Sequence, residues 1–145
     1  MVGTALVSYL LDTNIVSEWA KPEPDAGLRR WSEQADENLL FLSSVSLAEI
    51  RFGIDILPAG RRRRRLADWL EGDLPRLFEG RLLDVTPAVA DRAGRLGAHC
   101  RLRGRPMDKT DALIAATAQV HGLTLVTRNV GDFALAGLGL LNPFG

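Results

Sequence analysis

An α/β domain of open, doubly wound type with a mostly parallel central sheet is predicted by three features of the sequence. Short apolar runs alternate with segments of helical periodicity, and strands alternating with helices build a parallel sheet covered on both faces. Helix start and stop signals punctuate the junctions. The 145 residues suit one full-sized core, and no internal repeat, low-complexity segment or linker divides them, so residues 1–145 are expected to form a single domain.

Taken in order, Ala5 to Leu11 is a buried first strand that ends at Asp12. Thr13-Asn14 opens a helix carrying Ile15, Val16 and Trp19, stopped by Pro22-Glu23-Pro24. Asp25 caps a second helix with Leu28, Trp31 and Ala35 at helical spacing. Leu39 to Ser43 is a strand, and Ser44 or Ser46 starts a helix whose apolar face is Leu47, Ile50, Ile54 and Leu57. After Pro58-Ala59-Gly60 the arginine run leads into a long helix, which Gly72 and Pro75 should kink or break. Leu82 to Val85 is a strand, and Thr86-Pro87 is an N-cap followed by proline at the first helical position, opening a helix to about Arg103. Asp108 can cap the next helix, with Asp111 three residues later in a capping-box-like arrangement. Its body, Ala112 to Val120, is apolar almost all round and therefore buried, and Gly122 stops it. Leu123 to Thr127 is a buried strand followed by the loop Arg128 to Asp132, and Leu138 to Leu141 adds a last strand before Asn142-Pro143.

The net charge is zero, which argues against a generic nucleic-acid binder, but its distribution is uneven. Five arginines run from Arg61 to Arg65, and Arg92, Arg95, Arg101, Arg103 and Arg105 form a second cluster. Two readings fit the run: bidentate phosphate contact, or a solvated helix face paired with Asp68, Glu71 and Asp91. Lone Cys100 allows neither an internal disulfide nor a cysteine metal site, and it shares an apolar helical face with Val89, Ala93 and Leu96. No apolar run reaches a membrane span, and Met1 to Leu11 has no basic region or cleavage site, so a cytoplasmic protein is expected.

The chemistry lies with the carboxylates. Asp12 follows a buried strand, where an ionised acid is costly unless paired, though a helix N-cap also explains it. Glu49 could equally face solvent or pair with Arg51, Asp111 could complete a capping box, and Asp132 could be a turn former. Together, Asp12, Asp111 and Asp132 map to one rim of a parallel sheet, where crowded anions call for a cation. All-oxygen ligands favour Mg²⁺ or Mn²⁺ over zinc. His99 and His121 are read as structural or surface residues.

Four segments carry a resemblance. Leu10-Leu11-Asp12-Thr13-Asn14, Ser46-Leu47-Ala48-Glu49-Ile50, Asp111-Ala112-Leu113-Ile114-Ala115-Ala116 and Thr127-Arg128-Asn129-Val130-Gly131-Asp132-Phe133 resemble, in order and spacing, the PIN-domain ribonucleases, and among them the VapC/FitB-like toxins of type II toxin–antitoxin systems. The Pro58-to-Arg65 segment and Asn142-Pro143-Phe144 also resemble that subgroup. The resemblance implies an α/β/α sandwich and a Mg²⁺/Mn²⁺-dependent endoribonuclease. Asp12, Glu49 and Asp111 match the three central acids, and Asp132 the fourth, which often serves a second metal. Thr13 and Asn14 match a motif supporting the first acid, and Thr127 and Asn129 a nearby polar loop. Asp108 is read as a cap first and a metal-site neighbour second. A homodimer and a VapB-like antitoxin that inserts a peptide into the site are implied as well. Arg61, Arg62, Arg63, Arg64 and Arg65 are candidate contacts for RNA or antitoxin.

Two rival readings make different demands. A haloacid-dehalogenase-like phosphatase also uses a strand-end aspartate, but needs a second one two residues on, where Asn14 stands here. A non-catalytic, receiver-like binding domain needs a lysine after a late strand, and Lys21 and Lys109 follow no predicted strand.

Overall fold

The computed structural model describes residues 6–145. Its sheet has five strands: Tyr9–Leu11 (β1), Leu40–Ser43 (β2), Leu82–Leu83 (β3), Thr124–Val126 (β4) and Leu140–Leu141 (β5). All pairs are parallel and the order is β3-β2-β1-β4-β5, the doubly wound arrangement expected. In register, Leu11 lies between Leu42 and Val126. The chain winds outward from β1 through β2 to β3, then returns to the other side of β1 for β4 and β5. That reversal opens a crevice at the carboxyl ends of β1 and β4, where open α/β sheets bind ligands.

Successive residues of β1 point to opposite faces. Leu11 joins a core with Ile15, Leu28, Leu42, Leu74 and Phe78, whereas Leu10 joins Leu96, Ile114, Leu125 and Phe133 on the other side. Both leucines are fully buried, contributing about 1.5–3 kcal/mol each. A one-residue slip would exchange the two faces, so this burial fixes where β1 ends and hence where Asp12 stands.

The helices are Thr13–Trp19 (α1), Ala26–Gln34 (α2), Ser44–Asp55 (α3), Arg61–Asp68 (α4), Leu74–Leu77 (α5), Pro87–Leu102 (α6) and Lys109–His121 (α7). Thr86 caps α6 through its side chain to Val89 N, Asp25 caps α2 to Leu28 N, and Gly122 closes α7 in the left-handed region. Cys100 is buried, as its helical face implies.

Several boundaries differ from expectation. Ala5, placed in the first strand, lies outside the described residues, and β1 begins at Tyr9. Helix α3 starts at Ser44, the earlier of the two expected positions, and its cap is Ser43, the last residue of β2. Between α4 and α5 the break takes the form of a π-helical stretch, Trp69–Asp73. Pro75 has no N–H for the Glu71 carbonyl, and the Leu74 N–H reaches back five residues to Trp69. The loop after β4 contains a 3₁₀ segment, Val130–Ala136, and another, Glu37–Leu39, precedes β2. Among the described residues no helix is long and apolar enough to cross a membrane.

Candidate metal centre

Asp12 stands at the crevice, one residue beyond β1, and is 5% exposed. Its Oδ1 accepts from Thr13 N at 2.8 Å, which makes it the cap of α1 as well. Its Oδ2 accepts from the Thr127 hydroxyl at 2.7 Å and from Asn14 Nδ2 at 3.3 Å. Thr127 immediately follows β4, so the neighbouring strands β1 and β4 deliver these two side chains to one point. The Thr127 hydroxyl accepts in turn from Asn129 N and Asn14 Nδ2, and Asn14 Oδ1 accepts from Arg128 N. Hydrogen bonds to a carboxylate contribute roughly 1.5–3 kcal/mol each. Even so, the pKa of Asp12 is raised, because burial outweighs the bonds from Thr127 and Thr13, and Asp132 adds repulsion. Two lone pairs of Oδ2 are taken, while Oδ1 has one left to offer a ligand.

Glu49 comes from the second turn of α3 and is half-buried. The Thr13 hydroxyl donates to its Oε1 at 2.5 Å and lies 2.8 Å from the Ser46 hydroxyl, whose proton it can accept. Burial raises the Glu49 pKa, the Thr13 bond opposes this, and Asp12 and Asp108 add to the rise. The alternative partner, Arg51, is engaged elsewhere, with Glu71 at 2.7 Å and Asp55 at 3.6 Å.

Asp111 sits in the first turn of α7, half-buried, and its pKa is pushed up to about 6. Desolvation is the main cause, followed by repulsion from Asp12, Asp108, Glu49 and Asp132. The expected capping box is not formed: Asp108 occupies the N-cap position but its side chain makes no capping bond. Its charge instead bears on Glu49 and Asp111, the neighbour role placed second in the sequence reading. Asp132 is exposed on the 3₁₀ segment, close enough to raise the pKa of both Asp12 and Asp111.

The four predicted acids therefore share one electrostatic neighbourhood, and every charge bearing on Asp12, Glu49 and Asp111 is another acid. Among the described residues no three Asp, Glu, His or Cys side chains form a ready-made metal cage. The oxygen-only donor set fits Mg²⁺ or Mn²⁺. His99 and His121 are both exposed.

The supporting residues divide differently from expectation. Asn14 and Thr127 hold Asp12, but the Thr13 side chain serves Glu49, and Asn129 contributes its backbone N–H. Ser46 was read only as a helix start. Its spacing from Glu49, three residues on one helix, was the available signal that it shares that carboxylate's face. Arg61 to Arg65 open α4, and two of them line a cleft together with Glu49.

Comparison with known proteins shows the family. The PIN domain family model matches residues 9–136. A VapC ribonuclease of Sinorhizobium fredii, Y4jK, is 37% identical over 93% of this chain and 96% of its own. The toxin FitB of Neisseria gonorrhoeae is 33% identical over 93% of this chain and 97% of its own. The crystal structure of FitAcB from N. gonorrhoeae superposes with a TM-score of 0.86 at 33% identity, covering 93% of this chain and 97% of that one. The DNA-bound VapBC of Salmonella typhimurium superposes with a TM-score of 0.77 at 26% identity, covering 93% and 97%. An acid-rich crevice at the β1–β4 reversal and relatives matched over nearly their whole length agree: this chain belongs to the PIN domain family, among the VapC and FitB toxins.

Proposed function

We propose that this protein is a Mg²⁺- or Mn²⁺-dependent endoribonuclease and the toxin of a type II toxin–antitoxin pair, acting in the cytoplasm. The observation that carries the reading is the set of acids around Asp12, raised in pKa by burial and by one another with no basic side chain among them. Asp12, Glu49 and Asp111 would hold one metal ion, and Asp132 with Asp12 a second when RNA is bound. When bound, the metal supplies a water of lowered pKa and stabilises charge on the transferred phosphate.

The chain's own residues prepare this chemistry. Thr127 and Asn14 fix the orientation of Asp12, and Thr13 fixes that of Glu49, so neither carboxylate must be ordered when the substrate arrives. Repulsion among the acids would keep a phosphodiester out until a cation is present, so activity should depend steeply on the divalent ion. The names VapBC and FitAcB of the solved relatives support a VapB-like antitoxin as partner. The phosphatase alternative loses ground at Asn14, whose amide donates to Asp12 and Thr127 and accepts from Arg128 N where that chemistry needs a second acid.

The test is cleavage of bacterial total RNA by the purified protein with Mg²⁺, Mn²⁺ or chelator, beside Asp12→Asn. Cleavage should require the metal, and the variant should lose more than the roughly 10–100-fold that removing an outer partner of a metal ligand costs. A fully active, folded Asp12→Asn, or cleavage unaffected by chelator, would overturn the assignment.

A further inference from the structure

The five arginines at the start of α4 are badly placed for the helix that carries them. A helix N-terminus bears partial positive charge and repels cations in its first turn. Arg61 and Arg64, Arg61 and Arg65, and Arg62 and Arg65 stand three or four residues apart, where like charges destabilise a helix. Gly60, at the N-cap, offers no side chain to compensate. Among the described residues no acid forms an ion pair with the run, although Asp68 and Asp73 share a cleft with it. Among the described residues the ion pairs are Lys21–Glu18, Arg51–Asp55, Arg51–Glu71 and Arg95–Asp91. Glu71, which a solvated, paired face would need, is held by Arg51. In the second arginine cluster Arg95 pairs with Asp91, and Arg103 donates to the His99 carbonyl.

Placement relative to the acids gives the run a use. Arg62 and Arg65 line a cleft of about 280 Å³ whose wall also includes Glu49. Arg61, Arg64 and Arg65 line an adjoining cleft of about 580 Å³. Arg65 and the half-buried Trp69 belong to both, so the two form one trough leading away from the metal centre. Arg65 is steadied in this trough by donating to the Ala20 carbonyl at 3.3 Å. An acid pole at one end, exposed guanidinium groups along the walls and an aromatic ring are the elements that track single-stranded nucleic acid: phosphates on arginine, a base against the ring.

We propose that this trough is the path of the RNA strand flanking the cut phosphate, with Arg62 and Arg65 contacting the phosphates nearest the metal centre and Arg61 and Arg64 those beyond. The proposal rests on the nuclease reading above. The trough's four exposed arginines outnumber the acids on its walls, Glu49, Asp68 and Asp73, which favours a polyanion over a peptide for the run whose role the sequence left open between RNA and antitoxin.

The test compares wild type with Arg62→Ala/Arg65→Ala and with Arg95→Ala as a control, all exposed positions. Binding of a fluorescein-labelled, mixed-sequence single-stranded RNA is measured against salt in an Asp12→Asn background, and cleavage of bacterial total RNA in the active protein. The double variant should bind about tenfold more weakly, and its log affinity against log salt should flatten by about 1.4, the value for two lost phosphate contacts on a single strand. KM should rise with kcat held, and Arg95→Ala should match wild type. Unchanged affinity and salt slope in the double variant, while wild type still cuts RNA, would overturn the path and leave the trough to a peptide. Failure of wild type to cut RNA in either metal would overturn the nuclease reading, and this path with it.

Discussion

The Thr13 hydroxyl donates to Glu49 across 36 residues of sequence, joining the start of α1 to α3. Thr13 thus links two acids, because its backbone N–H holds Asp12 while its side chain holds Glu49. Replacement by valine keeps the shape and removes the donor. Thr13→Val should weaken Mn²⁺ binding about 10–100-fold, as loss of a partner that orients a metal ligand does, whereas Thr13→Ser should stay near wild type. Calorimetric titration with Mn²⁺ reads this directly, and equal affinity for valine and threonine would remove Thr13 from its role.

The acids should make the metal-free protein more stable in mild acid. Asp111 has a folded pKa of about 6 against an ordinary 3.8, so above pH 6 it is charged in both states and its cost in the folded state is fully present. As pH falls from about 6 towards 3.8 the folded chain takes up a proton that the unfolded chain does not, and stability rises. Asp12 and Glu49 are shifted in the same direction. Glu18 and Asp25, whose pKa values are lowered, act oppositely, and their stability is lost as pH falls below their ordinary values of 4.5 and 3.8. Asp111→Asn should therefore stabilise the metal-free protein at pH 7 by about 1 kcal/mol, discounted for its half-exposed position, and flatten the pH profile. Urea denaturation in chelator at pH 7 and pH 5 measures both effects. A wild type less stable at pH 5 than at pH 7, with Asp111→Asn following it, would contradict this.

The carboxyl-terminal segment is held against the start of α2. A Cβ on Gly27 would meet Gly145 N at 2.6 Å and the Pro143 carbonyl at 2.7 Å, both backbone atoms. Gly145 N also donates to Asp25, and the Phe144 ring lies under the Arg128 guanidinium at 4.5 Å. Gly27→Ala gains up to about 1 kcal/mol of helix propensity, while the clash costs roughly 1–3 kcal/mol unless the segment moves aside. Movement is the expected outcome, seen as faster hydrogen exchange at the Phe144 and Gly145 amides whatever the change in Tm. Unaltered exchange at both would show that the segment tolerates the methyl group.

What the sequence made legible was mostly local. Thr86-Pro87, Asp25 and Gly122 announce helix ends through chemistry contained within a few residues, and each behaves as read. Asp12 was legible because an acid after a buried strand must be accounted for. Helix α3 was legible to within two residues: Ser44 or Ser46 could open it, Ser44 does, and the Ser43 side chain caps it. The partnership of Thr13 with Glu49 could not be read, because nothing near either residue specifies a contact 36 positions away. Asp108 misled for the converse reason. Its local pattern was that of a capping box, but tertiary structure surrounds it with acids.

The central strand carries a last consequence. β1 is synthesised early but needs β4 on one flank, and the Asp12–Thr127 bond spans 115 residues. Such distant parallel pairing is slow to form, since the intervening loop must close first. A nascent chain still hiding β4 inside the ribosome lacks the hydroxyl that orients Asp12, so the Asp12 carboxylate is not held in place until β4 has emerged and paired with β1.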